Sequence, residues 1–232
     1  MVISSFRQTI SLVRELGLGT SILYLLSRLL QRISSNSCLY YYLFVAQPLT
    51  EKPRLPVTRG KAFVFRLMLG SDLVLESLDR PPKVIRERIQ RGAKCLAAFK
   101  NEALVGWIWF IHECYLEDEV RVKYVLPGDG GCVWDFDVFV SESERLGFLF
   151  AKQWDAFDSM LKPQGVHHTL SRINAFNQRS IASHRSLGAK GCGRALFLRI
   201  GPLQWMLASR RPFISFGGIP TLRLSPKADS WL

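Results

Sequence analysis

A chain of 232 residues that is 48% hydrophobic has enough apolar material for a full core, which excludes a disordered or low-complexity protein. Its net charge of +12 is unevenly spread: residues 1–60 carry seven Lys/Arg against two acids, residues 61–187 seventeen against sixteen, and residues 188–232 seven against one. The near-neutral middle shows no basic face interleaved with aromatics, so no nucleic-acid partner is expected, and the basic ends sit among apolar residues instead.

Five cysteines (Cys38, Cys95, Cys114, Cys132 and Cys192) are odd in number and never form a C-x-x-C pair, which argues against a disulfide framework and against a zinc site. A reducing, cytoplasmic setting follows. His167 and His168 are adjacent, but no H-E-x-x-H or His/Cys cluster accompanies them, so no metal is expected.

In chain order, the stretch from Thr20, SILYLLSRLLQRISS, predicts an amphipathic helix with Ile22, Leu23, Leu25, Leu26, Leu29, Leu30 and Ile33 on one side and a stripe containing Arg28 and Arg32 on the other. The uncharged run from Leu16 to Ser27 is shorter than the roughly 20 residues that a bilayer core requires. Arg14 and Glu15 just before it, with no small-residue cleavage site after it, argue against a secretory signal. Two readings stay open: a helix lying on an anionic membrane surface, which would make the protein peripherally membrane-associated, or a helix packed on its own domain or on a partner chain. The segment from Leu203 through Arg210, Arg211 and PFISFGGIPTLRL is expected to serve the same surface.

Pro48, Pro53 and Pro56 mark a linker, giving a basic helical extension over 1–47, a Pro-rich linker over 48–60, a main domain over 61–202 and a basic C-terminal extension over 203–232. AFVFRLM predicts a strand, and Pro81 and Pro82 open a helix through about Arg91. KCLAAF and ALVGWIWFI flank Lys100, Asn101 and Glu102 as a hairpin. Further strands are expected at Cys132–Val140, about Val166 to Ile173 and near Arg194 to Ile200, with a helix from about Arg145 to Leu161. This order predicts an α/β fold, a mixed sheet with helices on both faces. In NQRSIASHRSLGAKGCG, Ile181, His184 and Leu187 recur at helical spacing, Asn177 is a plausible cap and Gly188 can end the helix.

The order of elements over about 60–202 resembles the GNAT superfamily of N-acyltransferases. The helix after that family's fifth strand often reads N-x-x-[AS]-x-x-x-Y-x-x-[LF]-G-[FA], and Asn177, Ser180, His184, Leu187, Gly188 and Ala189 fall in register with it. The resemblance implies a mostly antiparallel central sheet flanked by helices, with acetyl-CoA or another acyl-CoA held between the fourth and fifth strands. Its pantetheine would lie along the strand that ends at Phe139 and Val140, and its pyrophosphate on the next helix's N-terminus. Donor contacts are then expected at Phe139, Val140, Arg145, Leu146, Gly147, Phe148, Asn177 and Ser180. The family's loop, [QR]-x-x-G-x-[GA], is not matched by SESERLGFLFA. With Glu144 in the first position Gly147 is kept but Leu149 replaces the second small residue; with Arg145 there, Phe148 and Phe150 replace both. The first register is preferred, and a bulky, partly acidic loop is expected to hold pyrophosphate less well.

The resemblance puts His184 where many members carry a tyrosine that protonates the departing thiolate, a role open to an imidazole near neutral pH. The competing account is a solvent-facing helix residue. Asp135 and Asp137, at period two, are expected to share one strand face and to act as a base or bind a cationic substrate, with structural salt bridging as the alternative; Glu113 is a weaker candidate. The implied activity is transfer of an acyl group, acetyl foremost, to a primary amine of a small molecule such as an amino sugar or amino acid, with no metal. Alternatives are an acyl carrier protein as donor, steered by the basic ends, and a catalytically silent GNAT-like scaffold or membrane-binding module.

Overall fold

The computed structural model describes residues 16–70, 72, 75, 78 and 80–227. The elements begin with α1 (Leu18–Ile33), β1 (Ser37–Pro48), β2 (Phe63–Met68), α2 (Pro82–Gln90), β3 (Lys94–Lys100) and β4 (Ala103–Ile111). Two short strands follow, β5 (Cys114–Leu116) and β6 (Lys123–Val125), and then β7 (Cys132–Val140), α3 (Leu149–Leu161), β8 (His168–Asn174) and α4 (Gln178–Ser186). Among the described residues the last elements are β9 (Lys190–Ile200), β10 (Leu203–Ala208), β11 (Ile214–Phe216) and β12 (Thr221–Arg223). The large sheet has the order β11-β10-β9-β1-β8-β7-β4-β3-β2 and is mostly antiparallel, so the molecule is a mixed α/β fold flanked by helices.

Two compact units divide the chain: a central one, Pro48–Tyr115 with Leu126–Leu170, and a terminal one, Met1–Gln47 with Leu116–Val125 and Ser171–Leu232. In the central unit, the β3–β4 hairpin turns at Asn101 and Glu102, both with positive φ (50° and 61°), the geometry of a two-residue hairpin turn. Alternation along β4 sends Phe110 to the α3 side, where it meets Phe157 edge-on at 5.1 Å, and Trp109 to the α2 side, where Arg88 lies over its ring at 5.4 Å. This sheet therefore has a helix on each face. The segment expected as a linker is pinned to α3. Thr50 and Arg54 backbone amides donate to Asp158 and Asp155, and Arg54 Nη1 reaches Asp158 at 2.7 Å. The helix expected from about Arg145 starts at Leu149, after a three-ten turn over Glu142–Glu144.

In the terminal unit the expected helical extension holds more than a helix. Residues 37–48 form β1, which pairs antiparallel with β9 from Ser37↔Ile200 to Ala46↔Lys190. CLYYYLFVA is rich in the aromatic and branched residues that fit a pleated, half-buried surface, and Tyr42 and Phe44 are fully buried on the face where Phe197 and Tyr124 pack. Residues 203–223, expected as an extension, supply β10, β11 and β12, with Leu222 of β12 aligned beside Tyr124 in parallel register.

Candidate functional site

The candidate site grows from one break in strand regularity. Trp109 pairs with Phe136 and Trp107 with Phe139, so Ile108 alone opposes both Asp137 and Val138, and Asp137 takes φ 49°. This is a β-bulge. On its other edge β7 is parallel to β8 only through Cys132–Trp134 and His168–Leu170, although β7 itself runs on to Val140. The edge from Asp135 to Val140 thus lies outside that ladder, an arrangement able to receive an extended chain.

The bulge also corrects the expectation that Asp135 and Asp137 share a face. It swings Asp137 to the Phe136 side, where Arg88 lies over the Phe136 ring and reaches Asp137 Oδ2 at 2.5 Å, and Arg80 reaches Oδ1 at 2.9 Å. Asp135 alternates with Phe136, aligns with Phe110 on the opposite face and is 2% exposed. Asp137 is thus a structural ion-pair partner, and neither carboxylate lies open to a soluble amine. Glu113 sits just after β4 with φ 61°.

Beyond Phe139 and Val140 the chain turns through Ser141–Phe148 into α3. Each acid of this loop has a cation: Lys100 Nζ reaches Glu144 Oε1 at 2.6 Å, and Arg145 Nη1 reaches Glu142 Oε1 at 2.9 Å. Glu144 and Arg145, the two residues considered for the family's [QR] position, are therefore engaged within the loop's own charge pairs. Gly147 donates its amide to the Glu144 carbonyl at 3.0 Å, and a Cβ there would lie 3.3 Å from that oxygen, so the glycine relieves crowding inside the turn. Leu146 is fully exposed.

The first amide of α3 bonded within the helix is that of Lys152, to Phe148; no side chain caps the helix, and its first turn holds no acid. The amides of Leu149, Phe150 and Ala151 thus point out of the helix start, where the dipole favours an anion. Two cations missed in the sequence stand by: the Arg59 guanidinium lies over the Phe148 ring at 5.2 Å, and the Lys152 side chain runs so close to Gly60 that a Cβ there would meet its Cγ at 2.8 Å. Arg59 lies 89 residues before Phe148, which left no local pattern to read, whereas Lys152 is only four residues beyond it and could have been read as a cation in the first turn of the helix. These residues fit a pyrophosphate, with the backbone amides as donors and the cations as counter-charge.

Asn177, Ser180 and His184 lie on α4 in the terminal unit. The Asn177 Oδ1 accepts from the Ser180 amide at 3.0 Å, so both residues are engaged in capping the helix. His184 is neither solvent-facing nor suited to donate a proton near neutral pH. It is 7% exposed, its Nδ1 lies 3.3 Å from Gln47 Oε1, and burial pushes its pKa down to about 4. The same unit holds a cluster that the sequence did not signal: Arg172 is paired with Glu117 at 2.8 Å and Glu119 at 2.7 Å and stacks on Tyr42 at 4.3 Å. Tyr42 donates to Glu119 at 2.6 Å, and burial raises its phenol well above the usual range, keeping it protonated. Among the described residues no three His, Cys, Asp or Glu side chains gather as a metal site, and no helix is long and apolar enough to cross a membrane.

No family model matches this chain, and no curated protein does. Among solved structures it is similar to a functionally unknown conserved protein from Staphylococcus epidermidis ATCC 12228, at 12% identity over 74% of this chain and 66% of that one, with a TM-score of 0.50. A tandem GNAT protein from the clavulanic acid biosynthesis pathway aligns at 13% identity over 73% of this chain and 54% of its own, with a TM-score of 0.48. An aminoglycoside acetyltransferase from an uncultured soil metagenomic sample aligns at 10% identity over 55% and 88%, with a TM-score of 0.40. This chain thus spans less than two thirds of the length of the first two proteins, and at 12% identity the Staphylococcus likeness is one of fold alone.

Proposed function

We propose that this chain is a GNAT-type N-acyltransferase that takes an acyl group, acetyl foremost, from an acyl-CoA and passes it to a primary amine of a small molecule. The observation that carries the reading is the β7–loop–α3 unit: a bulged strand with one edge outside its ladder leads through the Ser141–Phe148 turn to a helix start that no side chain caps. The strand edge suits the amide-bearing pantetheine arm, and the helix start, with Arg59 and Lys152, suits the pyrophosphate. The register of Asn177 to Ala189 with the family's helix motif adds to it.

In the step itself, the amine lone pair attacks the thioester carbonyl, the C–N bond forms and the C–S bond breaks. The acceptor's ammonium first gives one proton to water, which frees that lone pair, and the proton that the nitrogen sheds after attack replaces the acyl group on sulfur. Backbone amides at the bulge are the chain's means of polarising the carbonyl oxygen. With His184 neutral and buried, Asp137 tied to two arginines and Asp135 enclosed, water relays the proton. Turnover then rises with pH toward the acceptor's own pKa, with no inflection from an imidazole.

Calorimetry with coenzyme A and with pantetheine at low salt tests the reading. Coenzyme A should bind roughly tenfold or more tightly, because only it carries the pyrophosphate. Equal affinities would remove the proposed cradle. Weak binding of both, together with tight binding of a phosphopantetheine-loaded carrier protein, would move the donor to that protein.

A further inference from the structure

The terminal unit carries a face that acyl transfer does not use. Helix α1 turns its small polar side inward: Ser21 and Ser27 are buried, Ser27 Oγ donates to the Leu39 carbonyl at 3.0 Å, and Tyr24 meets Phe176 edge-on at 5.4 Å. The leucine-rich side is consequently outward, with Ile22 57%, Leu25 50% and Leu29 54% exposed. The helix is thus seated on its unit through its serines rather than its leucines.

Strand β10 repeats the inversion. Gln204 and Met206 are buried while Leu203, Trp205 and Leu207 are exposed. The register Trp205↔Phe216 and Leu207↔Ile214 carries the exposed face onto β11, and the Trp205 and Phe216 rings lie 5.0 Å apart. These patches are parts of one surface, since Leu23 of α1 and Leu207 of β10 line the same groove, with Arg194 at its wall. An apolar face continuing over a helix and a hairpin is more than scattered surface hydrophobes.

Its charge identifies the occupant. Neither residues 18–33 nor residues 190–223 contain an Asp or Glu, whereas Arg28, Arg32, Arg194 and Arg211 of these segments are exposed, with Arg28 and Arg32 flanking the leucine face and Arg194 lining the groove. A second copy of this chain would bring cation against cation. Phosphate headgroups over an apolar interior complement both properties. We propose that this face docks on the surface of an anionic lipid bilayer. Helix α1, at 16 residues about 24 Å long, lies in the plane of the headgroups with its leucines down, and the β10–β11 hairpin inserts Trp205 and Phe216 beside it.

The test is sedimentation of the full chain with phosphatidylcholine vesicles, with and without phosphatidylglycerol, at low and high salt. Binding should require phosphatidylglycerol and fall roughly tenfold or more as salt rises. The double variants Leu25→Gln/Leu29→Gln and Trp205→Ser/Phe216→Ser should each weaken binding about tenfold or more while far-UV circular dichroism and the urea unfolding midpoint stay close to the parent's, since the replaced side chains are exposed. Arg28→Gln/Arg32→Gln should abolish most of the preference for anionic lipid. Three results overturn the proposal: no binding to either vesicle, loss of binding in the helix variant with none in the hairpin variant, or a concentration-dependent dimer that the same substitutions dissociate without vesicle binding in the parent chain.

Discussion

Helices α3 and α4 begin in opposite ways. Asn177 closes the start of α4 with its own side chain, and the helix then buries His184 beside Gln47. Helix α3 has Phe148 in the capping position, which offers no acceptor, and Arg59 rather than an acid stands over it. One start is closed by its own side chain and the other leaves its first amides without a cap. A family motif read from sequence marks the first, yet the uncapped amides and the nearby cations are at the second, where the proposed function puts the donor's pyrophosphate.

The largest effect that separates the two concerns His184. With its pKa lowered from 6.5 to about 4 by burial, the folded state refuses a proton that the unfolded chain accepts. Stability is therefore intact above pH 6.5, is lost as pH falls through that range to about 4, and then levels off, a change of about 3 kcal/mol. Urea unfolding at several pH values should show this slope in the parent and not in His184→Leu. A slope shared by both would mean that the imidazole takes up its proton in the folded protein.

Next comes making α3 resemble α4. Phe148→Asp places a carboxylate at the helix start, so coenzyme A affinity should fall roughly tenfold to thirtyfold while stability holds or rises. Unchanged calorimetric affinity would put the donor elsewhere. Arg59→Ala, which removes a cation and leaves the cap position alone, should cost about fivefold to tenfold in affinity, and the loss should shrink as salt rises. The smallest effect is Asn177→Ala. It should lower stability by about 1 kcal/mol and leave donor affinity alone. A matching loss of affinity would show that α4 also holds the donor.

What sequence could reveal follows from how local each signal is. The β3–β4 hairpin, β7, and the Asn177 cap rest on neighbours a few residues apart, so periodicity and cap chemistry exposed them. The bulge at Asp137 left no trace, since WDFDV within CVWDFDVFV alternates regularly and one left-handed residue undoes the inference from spacing. Lys100–Glu144 and Arg54–Asp158 join residues far apart in the chain, so a loop that reads as acidic is neutralised and a linker that reads as free is pinned. For α1 the amphipathic pattern was evident, but a pattern is the same whichever side is buried, and here the two serines, not the leucines, face inward.

The central claim is that the donor's pyrophosphate sits on the open start of α3. Titrating isotope-labelled protein with coenzyme A and following backbone amides by NMR tests it directly. Large, saturable shifts at Leu149, Phe150 and Ala151, with little change at Gln178, Arg179 and Ser180, are the predicted result. Shifts at the α4 start with none at α3, or none at either under conditions where calorimetry registers binding, would contradict it.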